Sequence, residues 1–235
     1  MRATGNPASD SMNGPADTPD PSEEEAVLRA MRRVRLIMSL IARSDIGPPP
    51  EVKPGPAIYA ANHRSLADLL LASITFSSWR RPIRPLVAAP YFDKPGLGPL
   101  LRRLRCIPVE GAGALALATA ELEAGWSIAI MPEGRIVPPG DWAATGVGRA
   151  HPGVGRLALD TGLPVVASGA SGTERLWPYG AAAPRIRPWR RYPLALRSEV
   201  VGVVEARSSR DATAMVMAAL TRCVRPADAA TGLRT

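Results

Sequence analysis

Cysteine is nearly missing from this chain of 235 residues: Cys106 and Cys223 are the only two, far apart and in no CxxC or Cys/His spacing. That argues against a disulfide framework or a structural zinc site, and makes a reducing, intracellular compartment the simpler expectation. Histidine is equally scarce, so imidazole chemistry has two candidates, His63 and His151. Lysine is almost unused, which leaves arginine to carry a formal charge of +8 and a pI near 10.4. Such an excess points toward an anionic partner, whether a lipid surface, a phosphorylated substrate or a nucleic acid, and charge alone does not choose among them. The opening residues, MRATGNPASDSMNGPADTPDPSEEE, lack the apolar core of a secretion signal, so nothing there is expected to direct export.

What is present reads as one α/β domain with frayed ends. Residues 1–21 have too little apolar surface to offset the entropy of ordering, and a disordered tail is expected. Ser22 to Glu25 has the form of a capping box, opening a helix that should run to about Arg43, within an interface segment of residues 22–45. Val27, Met31, Val34, Met38 and Ile41 form its apolar stripe, with Arg29, Arg32, Arg33 and Arg43 opposite; Leu36 and Leu40 interrupt the polar face. Five arginines exclude a membrane span, since each charge near the midplane costs about 2.5 kcal/mol or more. The stripe suits a helix lying in a membrane interface and equally a surface helix packed on the domain.

From residue 46 to 225, short apolar runs alternate with helical stretches: AIYAA, LADLLLASITF, PLVAA, GALALATAELEA, WSIAIM, GVGRLALDT, PVVAS, EVVGVVE, then a helix from about Asp211 to Val224. This alternation predicts a mostly parallel sheet covered by helices, with functional residues where strands hand over to helices. Residues 226–235 read as a flexible tail.

His63 follows the run Ala57–Ala61 and should sit at a strand end. Ser65 looks like the N-cap of the next helix, with Asp68 in its first turn. His63 precedes that helix and can fold back on Asp68, whose carboxylate would fix one ring nitrogen and leave the other as a general base. Simple helix capping explains the same spacing equally well. The segment Met131–Arg135 (MPEGR) follows WSIAI, and its turn would project Glu133 and Arg135 into the same crevice. The stretch Arg185–Arg197 mixes arginines with Trp189 and Tyr192, a composition suited to lipid head groups, to nucleic acid or to a solvated loop.

Taken together, NHRSLAD, CIPVEG, MPEGR, HPGVGRLALDTGLPVV and SGTERLWP, in this order from about Ile58 to Trp177, resemble the glycerolipid acyltransferase family, best known through its 1-acylglycerol-3-phosphate acyltransferases. NHRSLAD matches that family's NHxxxxD signature and MPEGR its FPEGTR block. The resemblance implies His63 as the base that deprotonates an acceptor hydroxyl and Asp68 as its orienter. It implies Arg64, Ser65, Glu133, Gly134 and Arg135 as substrate contacts. No metal or cofactor is implied; acyl-CoA or acyl-carrier protein would be the co-substrate and a lysophospholipid the acceptor. An anionic membrane surface is the expected partner, no nucleic acid is expected, and the implied location is peripheral, on the cytoplasmic face of the cell membrane.

Three departures bear on the acceptor. Gly111 stands where the second block usually ends in an arginine, with Arg102, Arg103 or Arg105 the candidate substitutes. PEGRI replaces PEGTR, so Ile136 occupies the arginine position, a form resembling the branch that reacylates lysophosphatidylethanolamine. His151 replaces a common lysine, and with no carboxylate placed for it in the sequence it reads as a loop residue or head-group contact. The competing reading from another class is a catalytically inert basic protein that docks on membranes or nucleic acid.

Overall fold

Strand order in the computed structural model explains why the chemistry-bearing segments converge. It describes residues 19–187 and 189–233, so nearly all of the expected disordered tail lies outside the described residues. Fifteen elements follow one another: α1 (Pro21–Met38), β1 (Ala42–Ile46), β2 (Ile58–Ala61), α2 (Asp68–Trp79), β3 (Arg84–Ala88), α3 (Leu97–Arg103), β4 (Ile107–Val109), α4 (Ala114–Glu123), β5 (Ile128–Ile130), α5 (Pro139–Trp142), α6 (Gly153–Thr161), β6 (Val165–Ser171), α7 (Thr173–Leu176), β7 (Tyr192–Gly202) and α8 (Ser209–Thr231).

The strands form one sheet in the order β1-β7-β6-β2-β5-β3-β4. Pairing is parallel everywhere except between β6 and β7, so the mostly parallel α/β architecture is as expected. Central strands buried on both faces read as continuous apolar runs, and all seven residues of β6 are buried. Tyr59 points toward the α1 and α2 face with Leu71, Phe76 and Trp79; Ile58 and Ala60 point toward α4, α6 and α8 with Leu122, Leu157 and Val216. At Gly169 the α8 backbone crosses so closely that an added Cβ would lie 2.4 Å from the Val224 nitrogen. Only glycine permits that approach.

Four boundaries differ from the sequence reading. Asp20 caps α1, accepting from the Ser22 amide at 2.8 Å, so the helix opens before the supposed box. It stops at Met38, and Ala42–Ile46 forms an edge strand paired with β7, in register Ala42 with Tyr192. Its stripe of Val27, Met31, Val34 and Met38 is buried against the domain, each such side chain contributing about 1.5–3 kcal/mol. The strand expected at EVVGVVE begins earlier, inside the basic stretch at Tyr192. Residues 226–231, expected as loose tail, continue α8 through Pro226. An interior proline costs about 3 kcal/mol, offset here by the burial of Ala227, Asp228 and Thr231.

Candidate active site

His63 leaves the C-terminal end of β2, between β5 and β6, where an α/β sheet opens its crevice. Asn62, just before it, extends the sheet with its side chain: Nδ2 donates to the Ala170 carbonyl (3.0 Å) and Oδ1 accepts from the Ala170 amide (2.7 Å). The His63 main chain is then held by the turn after β5. Its amide donates to Glu133 Oε2 (2.7 Å), and its carbonyl accepts from the Val137 amide (2.8 Å). Glu133 Oε1 accepts from the Gly148 amide (2.9 Å). Burial pushes the Glu133 carboxyl above its ordinary range, against the pull of both amides.

The His63 ring lies with Nδ1 2.9 Å from Asp68 Oδ2. Asp68 is buried, and the same oxygen accepts from the Arg64 and Ser65 amides (2.9 and 3.0 Å) while Oδ1 accepts from Thr173 Oγ1 (2.5 Å). A carboxylate so fully engaged by donors holds the Nδ1–H tautomer and leaves Nε2 as the acceptor. Among the described residues Nε2 has no protein partner, and the ring lines a large cavity.

That cavity measures about 1050 Å³, at the top of the ~300–1,000 Å³ range usual for small-molecule sites. Leu69, Ala72 and Phe76 of α2, Leu86 and Val87 of β3 and Leu101 of α3 give it a largely apolar lining. His63, Glu110, Arg135 and His151 also line it, and Glu110, Arg135 and His151 are exposed to solvent. Gly111 and Ile136 also line it, so the two positions where the resemblance expects arginine bring no charge. Gly134 has φ +66° and its Cα faces His151, whose Cδ2 would lie 3.2 Å from an added Cβ.

The expected site residues divide. His63, Asp68, Gly134 and Arg135 line the cavity, and Glu133 underpins it. Arg64, Ser65 and Arg105 are not among its lining residues. Arg64 is buried and turned the other way, donating to both Asp228 oxygens (2.7 and 3.0 Å) and to the Gly146 carbonyl, with its guanidinium 4.0 Å from the Trp142 ring centroid. Ser65 does not cap α2 with its side chain; Ala67 occupies the cap, and Ser65 Oγ donates to the Trp177 carbonyl (2.7 Å). Arg105 is exposed and 3.5 Å from Glu23 of α1. The sequence reading passed over Asn62, Thr173 and Asp228 as individual residues. Asn62 and Thr173 stand inside recognised blocks, whereas Asp228 gives no local signal because its partner is 164 residues away. Among the described residues, no group of three or more His, Cys, Asp or Glu side chains is placed to hold a metal ion.

Fold and site together define an α/β protein that sets a carboxylate-oriented imidazole in the wall of a large, mostly apolar cavity, apparatus for moving a proton beside an apolar substrate. The Acyltransferase family profile matches residues 47–170, just over half of the chain, and the protein belongs to that family. Among solved structures, the 1-acyl-sn-glycerophosphate (LPA) acyltransferase PlsC from Thermotoga maritima aligns with a TM-score of 0.70 at 20% identity, covering 89% of this chain and 83% of that one. The likeness is one of fold. No curated protein sequence matches.

Proposed function

We propose that this protein transfers a fatty acyl group from a thioester, acyl-CoA or acyl-carrier protein, to the hydroxyl of a lysophospholipid, with 1-acylglycerol-3-phosphate as acceptor and phosphatidate as product. The observation that carries this reading is an Asp68-oriented His63, its Nε2 without a partner among the described residues, in the lining of a large cavity that combines many apolar side chains with Glu110, Arg135 and His151. Nε2 takes the acceptor O–H proton as the oxygen bonds to the thioester carbonyl carbon. The tetrahedral intermediate then expels the thiolate, which recovers the proton from His63. Atoms balance without a covalent enzyme intermediate or a cofactor. A positioned base contributes typically ~10²- to 10⁴-fold, and each buried methylene of the acyl chain adds about 0.8 kcal/mol to binding.

One observation favours a second acceptor. Glu110 lines the cavity and has no ion-pair partner among the described residues, which suits an ammonium group and hence lysophosphatidylethanolamine. Thiol release from acyl-CoA against both acceptors, beside His63→Ala, tests the proposal: the variant should lose about 10²- to 10⁴-fold in rate, and an unchanged rate would refute the mechanism.

The proposal includes peripheral attachment to the cytoplasmic face of the membrane. Among the described residues no helix is long and apolar enough to cross a bilayer. The end of α1 and the turn after it expose Leu36, Ile37 and Leu40, each about two-thirds accessible, and the loop before β7 exposes Ile186 and, at 84%, Trp189. These segments adjoin, since the Tyr192 amide donates to the Ile41 carbonyl (2.8 Å). As β7 runs antiparallel to β6, both lie at the end of the sheet where β2 delivers His63. Arg187, Arg190 and Arg191 flank the patch, each surface basic residue adding ~1 kcal/mol of attraction to anionic lipid.

A further inference from the structure

The cavity that holds His63 has a single guanidinium in its lining, Arg135. A lysophospholipid or a coenzyme thioester carries at least one phosphate, and one exposed arginine 3.3 Å from Asp141 is a weak counter-ion for it. The missing positive charge lies next door. A second, smaller pocket of about 500 Å³ shares Arg135 and His151 with the first and adds Arg149 and Arg210, with Glu133 and Thr213 in its wall.

Three elements build this pocket. Arg135 comes from the turn after β5, Arg149 and His151 from the segment leading into α6, and Arg210 from the first turn of α8. The helices meet closely, the Gly155 amide donating to Thr213 Oγ1 at 3.1 Å, so two helix N-termini add partial positive charge on this side. His151 is fixed by its amide, which donates to the Pro132 carbonyl (2.8 Å), and its ring lies against Gly134. Neither Arg149 nor Arg210 has an ion-pair partner among the described residues, although surface arginines elsewhere, Arg156, Arg197 and Arg222, each have one. Glu133 is the one carboxylate in the wall, and both its oxygens are taken by the His63 and Gly148 amides. It forms no ion pair with the arginines among the described residues.

The geometry points to a phosphate-binding subsite formed by Arg135, Arg149, Arg210 and His151, which takes the phosphate monoester of a substrate whose reacting end is at His63. Several forked guanidinium donors together can engage the three oxygens and double charge of a phosphate dianion. This inference rests on the acyl-transfer reading for its substrate but not for its ligand. The acceptor's phosphate and the 3′-phosphate of the coenzyme are the two sources of that chemistry.

The test has two parts. Calorimetric titration of the full chain with glycerol 3-phosphate should show binding that Arg149→Ala/Arg210→Ala weakens by about tenfold or more, the loss of one or two charge-assisted hydrogen bonds. Arg225→Ala, exposed on the same helix as Arg210 and outside the pocket, should leave binding unchanged. In thiol-release kinetics the double variant should raise KM for lysophosphatidate and leave KM for acyl-CoA alone if the acceptor fills the subsite. If the coenzyme fills it, KM for acyl-CoA should rise and the variant should lose its discrimination between acyl-CoA and acyl-dephospho-CoA. Unchanged binding and unchanged KM for both substrates would overturn the subsite while leaving acyl transfer standing. Absence of thiol release from the wild-type protein, with glycerol 3-phosphate binding still dependent on Arg149 and Arg210, would overturn the acyl-transfer reading alone.

Discussion

Arg64, the residue after the proposed base, is clamped by Asp228 near the far end of the chain, both side chains being about 1% exposed. The pair fastens α8 behind the loop that carries His63, and the Arg64 amide at the same time donates to Asp68. Asp228→Ala would leave a buried guanidinium uncompensated and should cost ~3–5 kcal/mol, read as a lowered urea midpoint. Arg64→Met/Asp228→Leu should recover much of that loss. Truncation after Arg225 should abolish cooperative unfolding.

Asp68→Asn should reduce thiol release by about 10²- to 10⁴-fold. The amide nitrogen cannot accept from the Arg64 and Ser65 amides as a carboxylate oxygen does, so a smaller fall in stability should accompany it. Thr173→Val removes only the donor to Oδ1, and a milder loss of kcat is expected, with KM unaffected.

Glu133 predicts a pH dependence. Its carboxyl is raised above its ordinary value of 4.5 in the folded protein, so between that value and the folded one the native state binds more protons than the unfolded state. Stability contributed through this group is therefore complete at acid pH and falls as pH rises from about 4.5. Glu133→Gln, which does not titrate, should show a flatter profile in denaturant titrations from pH 4 to 8. Equal slopes for the two proteins would contradict the assignment.

Burial pushes the Cys106 thiol up to about 12 and the Cys223 thiol to about 11. At pH 8 only about one Cys106 in 10⁴ would be thiolate, so both residues should resist a thiol reagent until the protein unfolds. A stopped-flow trace with a disulfide reagent checks this, and a silent native protein leaves the thiol-release assay free of background.

Leu40→Asp or Trp189→Asp should reduce flotation with phosphatidylglycerol-containing vesicles several-fold while leaving turnover of a detergent-dispersed acceptor intact. Equal flotation of wild type and both variants would remove the proposed membrane face.

Much of the central sheet was legible because a strand buried on both faces must be apolar along its length, as AIYAA, WSIAI and PVVAS are. The edge strand β1 was not, since ARSDI carries Arg43 and Asp45 toward solvent and its ladder partner lies about 150 residues on. The sequence pattern predicts helix α8 only to about Val224, and Pro226 just beyond is locally a helix breaker. Its continuation depends on Asp228 meeting Arg64 and on Thr231 meeting Ser171, both distant in the chain.

By itself, then, the sequence determined what is local: the strand ends that carry His63 and Glu133, the short separation that lets Asp68 reach back to the imidazole, and the family. Tertiary structure decided what depends on long-range packing. It turned Arg64 and Ser65 from the cavity into the scaffold, where burial requires that their polar atoms be paired. It buried the α1 stripe and left Leu36, Ile37 and Leu40 outside. It also gathered Arg135, Arg149 and Arg210 from three separate segments into one pocket adjoining the His63 cavity, a concentration of charge that no spacing along the chain announces.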